Sequence, residues 1–306
     1  MSRTLYFVKV NINSESTYRV HREEIDTYDI MLKLALKIRN DIRYIHTIEQ
    51  IVKGETLTTK QEFAFSGISK MEVDSEVMIV GGVVKTAKVF INNIDKETGE
   101  KTTRAFDSDE IINFCFYPKK EVVAYYCPRK FGYQEFVYAF EALVNEAFKK
   151  EHFSISTITN GLSLDNIKES LRKIKNIKTL QIDIIPPNPN GDMKKKLKEN
   201  AENKIKSLEQ GRITERSTIF KSSYKAGLDT DSEEISRELD DATAMHSKIS
   251  TEDVTKNGYV NIIAENEKGR IYNTNNEKVI KHRMDENIVG DNNFARFCKS
   301  VIERIF

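Results

Sequence analysis

Apolar and polar positions alternate at period two from Thr4 to Ile12, with Leu5 and Phe7 set against Tyr6 and Val8, and this predicts an opening strand. The spacing then changes. Tyr28, Met31, Leu32, Ala35 and Leu36 recur at helical intervals, so residues 26–41 are expected to form an amphipathic helix. Residues 61–70 and 76–91 return to a strand pattern, and the polar run 92–101 closes the second as a hairpin turn onto residues 102–106 or 111–117.

The densest stretch is 111–127. Two β-prone runs, Ile111–Tyr117 and Val122–Cys127, flank Pro118-Lys119-Lys120-Glu121. Proline presets φ for a turn and the charged tip stays solvated, so a second hairpin is predicted here. Residues 133–149 follow as a helix whose Phe136, Val137, Phe140, Leu143, Val144 and Phe148 form one wide apolar face, suited to packing on the sheet.

Residues 152–185 read as strand, helix, strand. Ser163 is placed to cap a helix carrying Leu164, Ile167, Leu171 and Ile174 on one face, and Leu180, Ile182 and Ile184 alternate with Gln181 and Asp183. A right-handed crossover would set strands 153–159 and 178–185 parallel. Pro186, Pro187 and Pro189 then stop the second strand, because proline cannot donate to a ladder. Polar helices are expected over 192–210 and 231–249, short strands near 258–264 and 270–274, and a closing amphipathic helix over 292–306.

The fold class expected is α+β, a mixed, largely antiparallel sheet with helices packed on it, followed by a β-α-β-containing second unit. A length of 306 residues favours two packed units, with the division expected near residue 150, giving 1–150 and 151–306.

Charge changes this picture only locally. Lys and Arg number 48 against 47 Asp and Glu, so the net charge of +1 argues against a chain-wide polyelectrolyte role. Residues 186–225 carry ten basic and five acidic groups while 226–256 carry three and nine, and the ordinary reading is that the two segments pack together. The opening MSRTLYFVKVNI lacks the regions of a signal peptide, and no run reaches the ~18–20 apolar residues that span a bilayer, so a cytoplasmic protein without a membrane partner is expected. Cys115, Cys127 and Cys298 are too scattered for a disulfide framework, and Cys115 and Cys127 read as small buried hydrophobes.

Motifs for several chemistries are missing: the phosphate loop, the dinucleotide-binding glycine fingerprint, H-E-x-x-H and G-x-S-x-G. Gly81-Gly82 lies inside a strand, where a bulge or close backbone contact explains it better than phosphate cradling. Glu202-Asn203-Lys204 has the letters of a nuclease E-x-K but falls on a polar helix. The five histidines (His21, His46, His152, His246, His282) are scattered, and His282, between Lys281 and Arg283, is the one to test first. No cofactor and no metal is called for, and the sequence leaves open whether the chain is an enzyme.

Basic residues interleaved with aromatics give a better hint. Lys119 and Lys120 follow Tyr117 at one end of the hairpin, and Arg129 and Lys130 lie between Tyr126 and Tyr133 at the other. With the cluster Lys194, Lys195 and Lys196 they form the candidate nucleic-acid-binding residues, lysine and arginine neutralising phosphates while exposed tyrosines stack on bases.

The run F-x-Y-P-K-K-x-V-V-A-Y (114–125), the strand end L-Q-I-D-I-I-P-P-N-P-N (180–190) and Asn257-Gly258-Tyr259 before a strand resemble an uncharacterised bacterial family, catalogued only as a domain of unknown function. Its members carry a strand, Pro-Lys/Arg, strand hairpin and a strand-terminating Pro-Asn-Pro, and occur among mobile-element and phage-defence genes. The resemblance implies an antiviral-defence-associated recognition or scaffold protein whose partner is nucleic acid or a protein of the same defence operon. A toxin-like effector nuclease and a structural oligomerising subunit stay open. In the latter, Phe294, Phe297, Val301 and Ile305 of the closing helix either dock within the chain or form a homo-oligomer.

Overall fold

The computed structural model describes residues 3–52, 55–94, 98, 101–127, 131–188, 202–247, 258–269, 271–285 and 287–306. In chain order the described elements are β1 (Arg3–Ile12), α1 (Ser16–His21), α2 (Thr27–Lys37), β2 (Arg43–Val52), β3 (Glu55–Val73), β4 (Glu76–Ile94) and β5 (Lys101–Tyr117). A 3-10 turn (Pro118–Lys120), β6 (Val122–Tyr126), α3 (Tyr133–Ala147), β7 (Phe153–Thr157), α4 (Leu164–Arg172) and β8 (Ile177–Ile184) follow. The chain continues through α5 (Glu202–Gln210), β9 (Arg216–Lys221), α6 (Glu233–Ser247), β10 (Val260–Asn266), β11 (Ile271–Asn273), β12 (Lys281–Met284) and α7 (Asp291–Ile305). The pairings between strands are antiparallel, and the α+β class expected from sequence is the class observed.

Two compact units are interleaved along the chain. One contains Met1–Leu5, Leu32–Lys149 and His282–Phe306, the other Tyr6–Met31 and Lys150–Lys281. The crossings between them lie inside β1, inside α2, between Lys149 and Lys150, and at the start of β12.

The first unit is a meander. β2, β3, β4, β5 and β6 each pair antiparallel with the next, so their order in the sheet is their order in sequence. β4 and β5 pair from Ile79↔Phe116 to Ile94↔Lys101, so the two segments offered as alternative hairpin partners form one strand. The turn into β6 has Pro118 at its first position and Glu121 at φ 57, with the Glu121 N–H donating to the Pro118 carbonyl at 3.0 Å.

Register assigns the two faces of this sheet. Gly81, Phe114 and Tyr125 lie in line across three strands, beside Phe65 opposite Val83. Their rings meet α3, with Phe136 stacked 3.9 Å from Tyr125 and Phe140 edge-on to Phe114 at 5.2 Å and to Phe65 at 5.8 Å. These five rings are at most 1% exposed, each worth about 1.5–3 kcal/mol of burial. The opposite face carries Val80, Cys115 and Ala124 in line, and α7 contacts β3, β4, β5 and β6 there through buried Cys298, Val301 and Ile302.

In the second unit β11, β10, β8 and β9 form an antiparallel sheet in that order. Its core joins Leu180, Ile182, Ile262 and Ala264 to Ile167 and Leu171 of α4, Ile205 and Leu208 of α5, and Ile235 and Leu239 of α6. The basic and acidic segments pack as their charges suggest. Lys204 reaches Asp241 at 2.8 Å, and Arg216 reaches Glu238 at 2.5 Å and Asp241 at 2.9 Å.

The strand–helix–strand order β7, α4, β8 is present, but its strands are not parallel neighbours. β7 pairs antiparallel with Val8–Ile12 of β1, whereas β8 pairs with β9 and β10. The crossover rule governs two strands of one sheet, and here distant segments supply better partners for each. Ser163 does cap α4, its Oγ accepting from the Asn166 N–H at 3.2 Å.

Two of the segments quoted for the family resemblance, those of Asn188 and Gly258, fall in this unit. Asn188, 1% exposed, accepts from the Ile12 N–H at 3.0 Å and donates to the Val10 carbonyl at 3.3 Å, so a side chain completes the backbone hydrogen bonding of β1. Gly258 holds φ +70, and a Cβ there would lie 2.0 Å from the Ser156 Cβ. Only glycine fits both conditions.

Candidate functional site

The residues singled out for nucleic-acid contact divide sharply. Arg129, Lys130, Lys194, Lys195 and Lys196 lie outside the described residues. Lys119 and Lys120 are described, and neither stands as an open cation. Lys119 pairs with Glu76 at the start of β4, and hydrogen bonding and charge from that carboxylate hold its ammonium above the ordinary lysine range. Lys120 donates to the Phe306 carbonyl at 3.5 Å. Around them Tyr117 donates to Glu76 and, at 3.2 Å, to Glu303, while Lys299 reaches Glu303 at 2.7 Å and Asp74 at 3.3 Å. Lysines and carboxylates alternate through this cluster, which ties the hairpin tip to α7. Tyr117 is 1% exposed and so presents no ring for a base to stack on.

The closing helix docks on its own sheet. Phe294 and Val301 are buried there, and Phe297 and Ile305 are half-buried. His282 packs 5.9 Å from the Phe297 ring, and its Nε2 accepts from the Arg304 guanidinium at 3.2 Å. Burial first, then the Arg304 charge, push its imidazole below the ordinary histidine range. Lys204 of the E-x-K triplet is committed to Asp241. Among the described residues, no three His, Cys, Asp or Glu side chains are grouped to hold a metal ion. No helix among them is long and apolar enough to cross a membrane.

What the fold does build lies on the α7 face of the first unit's sheet. Ser66, Gly82, Asn113 and Tyr126 stand directly opposite one another on β3, β4, β5 and β6, a single row across four strands. α7 begins only at Asp291, and the row lines a cleft of about 410 Å³ with Arg3 of β1 and the loop before α7, where Val289 is 72% exposed. That volume is in the range of small-ligand clefts.

The floor combines strand backbone with the Ile111 side chain. A Cβ on Gly82 would come 2.5 Å from the Ile111 Cδ1, so this glycine lets the Ile111 side chain lie against the row, while one on Gly81, in line with Phe114 on the α3 side, would come 2.4 Å from the Ile68 Cδ1. The bulge foreseen for them sits on the neighbouring strand, where the β3–β4 register shifts between Ser66 and Ser69. Above this floor the polar groups converge. The Arg3 guanidinium lies 4.9 Å from the Tyr126 ring centroid, Asn113 Nδ2 donates to the Tyr126 hydroxyl, and Phe294 closes edge-on to Tyr126 at 5.7 Å. Arg3 is exposed and makes no ion pair among the described residues.

Sequence reasoning flagged Gly81-Gly82 and Tyr126 but passed over Arg3 and Asn113. A lone arginine ahead of a strand and a lone asparagine within one carry no local signal; only the register brings them together.

Residues 3–297 match a family model described as Domain of unknown function (DUF4747). A search of curated proteins finds no match.

Proposed function

We propose, for a chain that belongs to the DUF4747 family, a recognition role in which the glycine-floored cleft receives a phosphate-bearing nucleotide unit of a nucleic acid. The observation that carries this reading is the Ser66–Gly82–Asn113–Tyr126 row with Arg3 at its end. The apolar Ile111 and Phe294 side chains beside the Gly82 backbone suit a planar ring. The Arg3 guanidinium, held over Tyr126 with no carboxylate partner among the described residues, suits a phosphate, and the Asn113 amide can read a base edge. The resemblance to proteins found among phage-defence genes supports a cytoplasmic, defence-associated setting for such binding. The occupied state of Lys119 argues for moving the contact away from the hairpin tip.

Fluorescence anisotropy with short single-stranded RNA and DNA probes tests this. Arg3→Glu reverses the charge at the cleft and Gly82→Val fills its floor, and each is expected to weaken binding about tenfold or more, while Lys119→Glu with Lys120→Glu leaves it nearly unchanged. Thermal melts of each variant confirm folding. Absence of binding by the native chain, or binding indifferent to Arg3→Glu, overturns the proposal.

A further inference from the structure

The outer edge of β2 pairs with no strand among the described residues. It ends the strand order of its sheet, pairing with β3 on one side through Arg43–Val52 against Glu55–Ala64 without a shift of register. Sheet edges are ordinarily shielded by proline, by a bulge, by lysines or by short length. β2 has ten residues, RYIHTIEQIV, with no proline, glycine or lysine. Ile45 on this strand is 57% exposed.

We infer that β2 is a self-association edge, pairing antiparallel with β2 of a second copy about a two-fold axis at His46. The argument is charge self-complementarity. Within 43–49 the charged residues are Arg43 and Glu49, at opposite ends of one exposed face that also holds Ile45 and Thr47. In an antiparallel pair centred on His46, Arg43 faces Glu49 of the second copy and Glu49 faces Arg43 of the second copy, so one symmetric contact satisfies both pairs. Centring the pair on Ile45 would instead set Glu49 against Asp41 of the other copy. Ile45 then covers Thr47 across the joint, and the unpaired backbone groups of two edges satisfy each other.

Sedimentation velocity on the full chain over a wide concentration range tests this, with far-UV circular dichroism to establish folding. The native chain is expected to associate to a dimer. Arg43→Glu and Glu49→Arg should each weaken association about tenfold, since each sets like charges opposite one another twice. Arg43 also bridges Glu62 within the chain at 3.3 Å, so Glu49→Arg is the cleaner single change. An equimolar mixture of the two variants should associate as tightly as the native chain, because each then offers the charge the other lacks. A native chain that stays monomeric overturns the inference. So does a dimer indifferent to both reversals, or a mixture no tighter than its components.

Discussion

Gly258→Ala is expected to destabilise the second unit by about 2–5 kcal/mol, and the structure says how that figure divides. Gly258 holds φ +70, where a side chain costs roughly 1–2 kcal/mol in backbone strain. The added methyl would also lie 2.0 Å from the Ser156 Cβ and 2.2 Å from its Oγ. Forcing such an overlap into a packed interior costs about 1–3 kcal/mol, and Ser156 is only 4% exposed. Ser156→Gly removes both clashing atoms and by itself costs about 0.5–1 kcal/mol for glycine in a strand. In the double variant the overlap is gone but the strain and the strand glycine remain, about 1.5–3 kcal/mol together. The singles sum to more than the double by about 1–3 kcal/mol, and that difference is the overlap energy. Urea unfolding followed by far-UV circular dichroism measures it; the chain has no tryptophan to report by fluorescence. Additivity of the two changes to within about 0.5 kcal/mol would refute the packing argument.

Asn188→Ala should leave the Ile12 N–H and the Val10 carbonyl unpaired in a buried site, at about 1–3 kcal/mol each in the same assay. Asn188→Asp should do no better, since a carboxylate still accepts from Ile12 but repels the Val10 carbonyl; stability equal to native in either variant contradicts the clamp. His282 predicts a pH dependence. Its imidazole titrates below the ordinary 6.5 when folded, so the unfolded chain takes up the proton first, and stability declines as pH falls through and below 6.5. His282→Gln should flatten that part of the pH–stability curve and Arg304→Gln should shift it to lower stability loss, both read from thermal midpoints between pH 5 and pH 8 at about half-unit steps.

Elements whose own residues decide them were legible from the sequence. The 111–127 hairpin follows from two β-prone runs around Pro118, and α3 and α7 follow from wide apolar faces that each found a side of the sheet. β12 and β9 were not. KHRM and RSTIFK carry too few apolar residues to announce a strand, and their extended state comes from the neighbours they pair with or pack against. β2 was missed for a related reason. Its alternation sets Tyr44, His46 and Ile48 against Arg43, Ile45, Thr47 and Glu49, which dilutes the apolar signal on both faces. The interleaving of the units also lies beyond local pattern, because β1 takes as partner a strand more than a hundred residues away.

The same distinction explains why the candidate site moved. Lys119 and Lys120 looked functional because charge at a hairpin tip is conspicuous in a linear sequence, yet a tip is also where oppositely charged groups from other elements are free to gather. Lys119 meets Glu76 of β4 there, and Lys299 of α7 meets Glu76 and Glu303, so the charges of the cluster offset one another. The cleft shows the reverse. Arg3, Gly82, Asn113 and Tyr126 are dispersed over more than a hundred positions, and none is conspicuous alone. Antiparallel register stacks the last three in one row, α7 starts too late to cover them, and Gly82 puts no side chain of its own into the row. An arginine with no ion pair among the described residues, beside a row that α7 leaves uncovered, is a property of pairing geometry. Search for function in such a chain therefore belongs with the register of its strands, after the neutralised charges have been set aside.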